Sequence, residues 1–133
     1  HEEQESIKVV CDQISSPTST KELAKISWEI LKTKESKNLP FILHWSNTGV
    51  ASWYDLAISI GNLGLEMGLI KKKAKVIPIK SSDFPGQAKR PSYSVLNTFE
   101  TQKKLKVQPS YWRDELKEII YEIIENKKYI FNK

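Results

Sequence analysis

Three observations predict an α/β fold. Short apolar runs, IKVV at 7–10, FILHW at 41–45 and KVIPI at 75–79, alternate with segments of helical periodicity. Two of those helical segments open on a hydroxyl and a carboxylate at capping distance, Ser19 with Glu22 and Ser52 with Asp55. The last segment carries Leu116, Ile119, Ile120, Ile123 and Ile124 at i, i+3, i+4, i+7 and i+8, a continuous apolar stripe.

Taken in order, IKVV reads as a short buried strand followed by the loop CDQISSPTS. The first helix then presents Leu23, Ile26, Ile30 and Leu31 on one face and ends in the lysine-rich KTKESKN at 32–38. FILHW reads as a second strand, and SNTGVA turns the chain into a helix whose inward stripe is Leu56, Ile60 and Leu63. Gly61, Gly64 and Gly68 blur the end of that helix, because glycine is a poor helix former. KVIPI is the third strand, and Pro78 places it at a sheet edge or ends it there. Asn97 and Glu100 are spaced to cap a short helix, and Pro109 and Ser110 introduce the last one. The chain opens almost directly on a strand, whereas parallel strands need helical cover on both faces. The first strand is therefore expected to be the last piece of a larger sheet, and the chain a fragment.

At 133 residues, with 39% hydrophobic and 28% charged residues, the sequence has the size and composition of one globular domain. No apolar run has membrane-spanning length, and HEEQESIKVV lacks the basic-then-apolar pattern of a signal peptide, so a cytoplasmic protein without membrane partners is expected. The single cysteine, Cys11, excludes an internal disulfide and a cysteine-based zinc site; its apolar context reads as a buried structural thiol. The net charge of +5 owes much to KKKAK at 71–75 and NKKYIFNK at the C-terminus. No aromatic residues interleave with KKKAK, which reads as a solvated basic face, and no nucleic-acid partner is expected. No set of His, Asp and Glu has metal-ligand spacing, so no metal site is expected.

The segment DFPGQAKRPSYSVLNT at 83–98 is chemically unusual for a connection. It sets Lys89 and Arg90 against Pro91, with Pro85 upstream, and so stiffens the backbone around two cations. Such rigidity suits a loop that must hold a guanidinium still against an anion, because the planar fork of Arg matches phosphate or carboxylate.

Four segments together resemble the dTDP-4-dehydrorhamnose reductase family of extended short-chain dehydrogenases: VVCDQISSPTSTKELA at 9–24, SNTGVASWYDLA at 46–57, FPGQAKRPSYSVLNT at 84–98 and YWRDELKEII at 111–120. The family repeats them in this order as a D-Q-x-x-x-P-T loop, an N-x-G-x-x-S-W-Y helix start, an A-[KR]-R-P-x-x-S-x-L-[DN]-T loop and a W-R-x-x-L helix. The resemblance implies a C-terminal substrate-binding lobe, residues 1–133 forming a single domain fragment, with 1–18 bordering an absent Rossmann lobe. It further implies that the full-length enzyme reduces dTDP-4-dehydro-rhamnose to dTDP-rhamnose with NADPH or NADH. The pyrophosphate-cradling glycine loop of a dinucleotide site and the Tyr-x-x-x-Lys proton donor are not found here. Tyr129 and Lys133 have the spacing of that pair but lie at the end of the chain. This portion is accordingly expected to bind no cofactor and to be non-catalytic, and to self-associate through Ile7, Val9 and Val10, bared by the missing lobe. The alternative is a regulatory subunit of the same fold, resembling the methionine adenosyltransferase β subunit.

The resemblance implies that Arg90 meets the nucleotide diphosphate of a dTDP-sugar, with Lys89 beside it. The competing reading is an Arg90 that staples its loop by pairing with Asp83 or with backbone carbonyls. Asp12, Gln13, Pro17 and Thr18 follow the first strand, where ligands of α/β sheets sit. Gln13 and Thr18 are candidates to bond base or sugar hydroxyls, or else serve the turn itself. Trp53 and Tyr54 are expected to pack into the core, His44 to be a satisfied core histidine, and His1 to have no role.

Overall fold

The computed structural model describes residues 1–33, 39–84 and 89–131, with side chains through residue 126. Strand β1 (Ser6–Val10) is hydrogen-bonded in parallel to β4 (Lys75–Ile79), in a register that sets Ser6 opposite Lys75 and Val10 opposite Ile79. Between them in sequence lie β2 (Ile14–Ser15), α1 (Thr20–Lys32), β3 (Ala51–Ser52) and α2 (Trp53–Glu66). After β4 come a 3₁₀ turn (Ser81–Asp83), α3 (Phe99–Leu105) and α4 (Trp112–Phe131). Helix α2 is central: it contacts β1, β3, β4 and α4. The buried apolar set is spread thinly over these elements, with Val10 from β1, Ile26 from α1, Leu63 from α2, Trp112 and Ile120 from α4, and Trp45, Ala51 and Ala74 around them.

Helix α2 starts as its sequence directs, although of its expected inward stripe Leu63 is buried and Ile60 exposed. The Ser52 hydroxyl accepts from Asp55 N at 3.1 Å, and the Asp55 carboxylate accepts from Ser52 N at 2.9 Å, a complete capping box. Gly61 and Gly64 stay inside the helix, which ends at Glu66 with Gly68 at φ +76° in the following turn. Pro78 in β4 is tolerated because the β1–β4 sheet has only two strands, each with a free edge. The last helix starts at Trp112, two residues later than Ser110.

Several expectations need correction. FILHW is not a strand: residues 41–45 have no regular structure, Phe41 is fully exposed, and His44 is exposed rather than in the core. The run is apolar but has no strand beside it to bond; the His44 carbonyl instead accepts from the Thr101 hydroxyl at 2.7 Å. The loop after β1 contains β2, which pairs antiparallel with β3. Ser19 makes only half of a capping box. Its hydroxyl accepts from Glu22 N at 2.9 Å, but its own N–H is taken by Asn47 Oδ1 at 3.1 Å. On α1, Ile26 is buried while Leu23 and Leu31 are exposed, so the stripe is covered only at its centre. Thr98 is the N-cap of α3 without a side-chain bond to the helix backbone, its hydroxyl accepting instead from Gln102 Nε2 at 2.7 Å, and Asn97 Oδ1 accepts from Phe99 N at 3.0 Å. Trp53 is about half exposed at 48%, because as the first residue of α2 it points away from the core, and Cys11 is only partly buried. Of the apolar residues of β1, Val10 is buried and Ile7 and Val9 are partly covered. His1 is not idle, since its ring nitrogen Nε2 lies 2.9 Å from the Ala57 carbonyl and its ring packs against Gly61. Residues 34–38, Pro85 and the side chains of Tyr129 and Lys133 lie outside the described residues.

Asn47 joins the pieces. It is 2% exposed, accepts from Ser19 N, donates from Nδ2 to the Ser110 carbonyl at 3.1 Å, and gives its backbone N–H to the Thr18 hydroxyl at 3.2 Å. The next residue, Thr48, exchanges backbone bonds with Ser110 and Trp112 at 2.9 and 3.0 Å. Gly49 follows at φ +81°, where an added Cβ would sit 2.3 Å from the Tyr111 ring. Asn47→Ala leaves a buried N–H and a buried C=O unpaired and is expected to destabilise by about 2–4 kcal/mol. Gly49→Ala combines a left-handed backbone with a clash and is expected to cost at least about 1 kcal/mol. Urea unfolding of both variants measures these losses, and neither should change the m-value.

Candidate functional site

Because β1 and β4 run parallel, their carboxyl ends lie side by side and the loops that leave them meet. Beyond β1 come Asp12 and Gln13; beyond β4 comes the 3₁₀ turn. The Asp12 carboxylate accepts from Ser81 N at 2.9 and 3.1 Å and from the Ser81 hydroxyl at 2.5 Å. Gln13 Nε2 donates to the same hydroxyl at 3.0 Å. One residue further on, Ile14 N donates to the Ser92 carbonyl at 2.8 Å, and the Ile14 carbonyl accepts from Ser94 N at 2.9 Å. Ile14 thus sits between β3 on one side and the segment Ser92–Ser94 on the other. The consecutive residues Asp12, Gln13 and Ile14 therefore fasten both shoulders of the loop that carries Lys89 and Arg90.

Lys89 and Arg90 are exposed, and neither has a hydrogen bond or ion pair among the described residues. Asp83 accepts from its neighbour, the Ser82 hydroxyl, at 3.1 Å. The staple between Arg90 and Asp83 is thus not formed, and the guanidinium two residues before Ser92 remains available to an anion. Thr18 is occupied: its hydroxyl donates to the Ser16 carbonyl at 2.9 Å and accepts from Asn47 N. Gln13 is likewise engaged by Ser81 through its amide NH₂. The structure so separates the four candidates into two cations without a partner among the described residues, one amide bonded to a serine hydroxyl, and one hydroxyl that holds backbone. What sequence reading missed is Ser81. A serine after a strand carries no signal until the parallel pairing of β1 with β4 places it against Asp12.

Electrostatics at this junction favours the ionised carboxylate. The Ser81 hydroxyl bond, helped by the Ser81 N–H and by the charge of Lys80, holds Asp12 below the usual carboxylate range. The described glycines do not form a dinucleotide cradle: Gly61 and Gly64 lie within α2, Gly49 is wedged against Tyr111, and no glycine directly follows β1 or β4. Nor do the described residues include a group of three or more potential metal ligands, and no described helix is long and apolar enough to cross a membrane.

The described geometry is an exposed pair of cations, Lys89 and Arg90, next to the segment Ser92–Ser94 that Ile14 holds beyond the carboxyl end of β1 on a small α/β lobe. The chain belongs to the RmlD substrate binding domain family, whose model matches residues 1–124. It is 32% identical over 121 residues to the spore coat polysaccharide biosynthesis protein SpsK of Bacillus subtilis, covering 91% of this chain and 38% of that protein. It is 33% identical over 113 residues to a dTDP-4-dehydrorhamnose reductase of Aggregatibacter actinomycetemcomitans, covering 84% of this chain and 38% of that one. A crystal structure of dTDP-4-dehydrorhamnose reductase from Bacillus anthracis in complex with NADP superposes with a TM-score of 0.75 at 29% identity, over 90% of this chain and 38% of that one. The chain thus spans less than half the length of the relatives it matches, and its fold is that of their substrate-binding part.

The sign of the Asp12 shift gives a pH expectation. A carboxyl held low in the folded state contributes stability above its unfolded value, and loses it as pH falls through the folded value. Ser81→Ala should bring the Asp12 titration back up toward the ordinary carboxylate range, as followed by carboxyl carbon chemical shifts between pH 2 and 6, roughly the span around an unperturbed Asp.

Proposed function

We propose that this chain is the substrate-binding lobe, residues 1–133, of an NAD(P)H-dependent reductase that converts dTDP-4-dehydro-rhamnose to dTDP-rhamnose in the cytoplasm. Residues 1–18 border the cofactor-binding lobe, which supplies NADPH or NADH and the proton donor. The observation that carries the reading is Arg90: an exposed guanidinium without a protein partner among the described residues, beyond the carboxyl ends of two parallel strands. There it forms a charge-assisted, bidentate bond to the diphosphate of the sugar nucleotide, and Lys89 adds a second positive charge. Gln13 and Thr18 contribute indirectly, Gln13 through the Ser81 hydroxyl and Thr18 through the backbone of Ser16 and Asn47. Family membership and the dTDP-sugar reductase among the relatives support the substrate class.

Arg90→Ala in the complete protein should weaken dTDP binding about ten- to a hundredfold, the size of one charge-assisted contact. Arg90→Lys should recover only part of this, since an ammonium keeps the charge and loses the fork. Titration calorimetry and thermal unfolding on the same variants separate the roles: unchanged affinity with a lowered melting point would refute the phosphate contact.

Self-association of the isolated lobe is also proposed, supported by the open edges of the β1–β4 sheet and by exposed Leu31, Phe41 and Ile42. Light scattering over a concentration series should show a mass rising above 15.3 kDa, and a constant monomer mass would count against it.

A further inference from the structure

The exposed cations Lys89 and Arg90 have an aromatic neighbour that no contact within the protein explains. Tyr93 stands three residues after Arg90 and is 63% exposed. Among the described residues its hydroxyl has no hydrogen bond, no second ring packs against it and no cation lies over its face. Its backbone, by contrast, is fixed on both sides. Ile14 N donates to the Ser92 carbonyl at 2.8 Å and Ser94 N donates to the Ile14 carbonyl at 2.9 Å, which pairs Tyr93 with Ile14 in parallel. Ile14 is in turn paired with Ser52 across β2 and β3, so Tyr93 stands on a bonded frame and not on a frayed tip. Tyr111, the other exposed aromatic residue in an isolated bridge, already packs against Trp112 and the backbone of Gly49. The ring of Tyr93 is left open.

We propose that Tyr93 is a stacking platform for the thymine base of the sugar nucleotide, beside the cations that meet its diphosphate. The proposal rests on the sugar-nucleotide reading above. A nucleotide joins an anion to a flat ring at a short, nearly fixed spacing. Here two unpaired cations and an unpaired flat ring lie within three residues, a stretch of chain that spans at most about 10 Å. One ligand can therefore engage both. Tyrosine suits the task because it offers a large flat face with only two side-chain torsions to immobilise. With the backbone on either side already bonded to Ile14, little further ordering is needed when the base arrives. Stacking of this kind adds affinity for the nucleoside without choosing among bases, since every base has a π-face. The ring carries the interaction and the hydroxyl is dispensable.

Proton NMR of dTDP bound to the complete protein reads this contact directly, because a base lying over an aromatic ring has its resonances displaced upfield. The thymine H6 and methyl signals are expected to move upfield on binding to the wild type and to Tyr93→Phe, and to lose most of that movement with Tyr93→Leu. In titration calorimetry Tyr93→Leu is expected to weaken dTDP about five- to fiftyfold, and Tyr93→Phe to stay within about twofold of the wild type. A Tyr93 that only supports its strand would lower the melting temperature and leave the thymine signals where they are in the wild-type complex. The stacking role is overturned by a wild-type complex without upfield movement, by movement that survives Tyr93→Leu, or by a Tyr93→Phe variant as weak as Tyr93→Leu. Arg90→Ala separates the two readings, since it is expected to weaken dTDP while the bound thymine keeps its upfield position. If Arg90→Ala binds like the wild type, the phosphate contact fails and the thymine signals still decide the role of Tyr93. A complete protein that does not bind dTDP at all refutes both.

Discussion

The side chain of Asn47 is the constraint on which the architecture depends. One amide satisfies the N–H that starts α1 and a carbonyl just before α4, and its backbone N–H is taken by the loop that leads from β1. These three segments share few buried apolar contacts, since the buried apolar set is small and scattered. In a core this thin, a fully bonded polar group specifies which elements meet, and an unbonded one would be costly. Ser19 extends the same network, donating its hydroxyl to Glu115 at 2.8 Å while accepting from Glu22 N. The start of α1 is therefore tied to α4 through hydrogen bonds, and at the surface by the ion pair between Lys21 and Glu122.

This polar frame explains why some sequence signals were legible and others were not. Local chemistry was reliable where one segment satisfies itself. Ser52 and Asp55 cap α2 from within four residues, and the last helix forms on its stripe, although that stripe buries only Ile120 and leaves Ile123 exposed. Signals failed where the partner was distant. The N–H of Ser19 left its expected local partner for an amide 28 residues away, and the apolar FILHW found no strand to pair with. Tertiary context decided both cases, and periodicity carries no information about it. The N-x-G-x-x-S-W-Y pattern does lead into α2, and its Asn47 and Gly49 also set the chain against Ser110, Tyr111 and Trp112, which the pattern does not reveal.

The candidate site was legible in its charged part and illegible in its support. Lys89 and Arg90 could be singled out because two cations beside a proline in a short loop are chemically conspicuous. Gln13 and Thr18 were singled out for the same polarity, and the structure gives both of them partners within the protein, the Ser81 hydroxyl and the Ser16 carbonyl. Residue type alone cannot distinguish an amide that binds a ligand from one that closes a turn, because the donors and acceptors are identical.

The parallel pairing of β1 with β4 also bears on how the molecule acquires its site. The contacts that assemble the site join residues 69 and 80 positions apart, Asp12 with Ser81 and Ile14 with Ser94. Closing such long loops must precede any reward from the bonds they permit, so the helices can form first and the strand-end junction last. The junction is then a report on complete topology: a chain that has formed its helices but not registered β1 against β4 carries Asp12, Ile14, Ser81 and Ser94 without bringing them together.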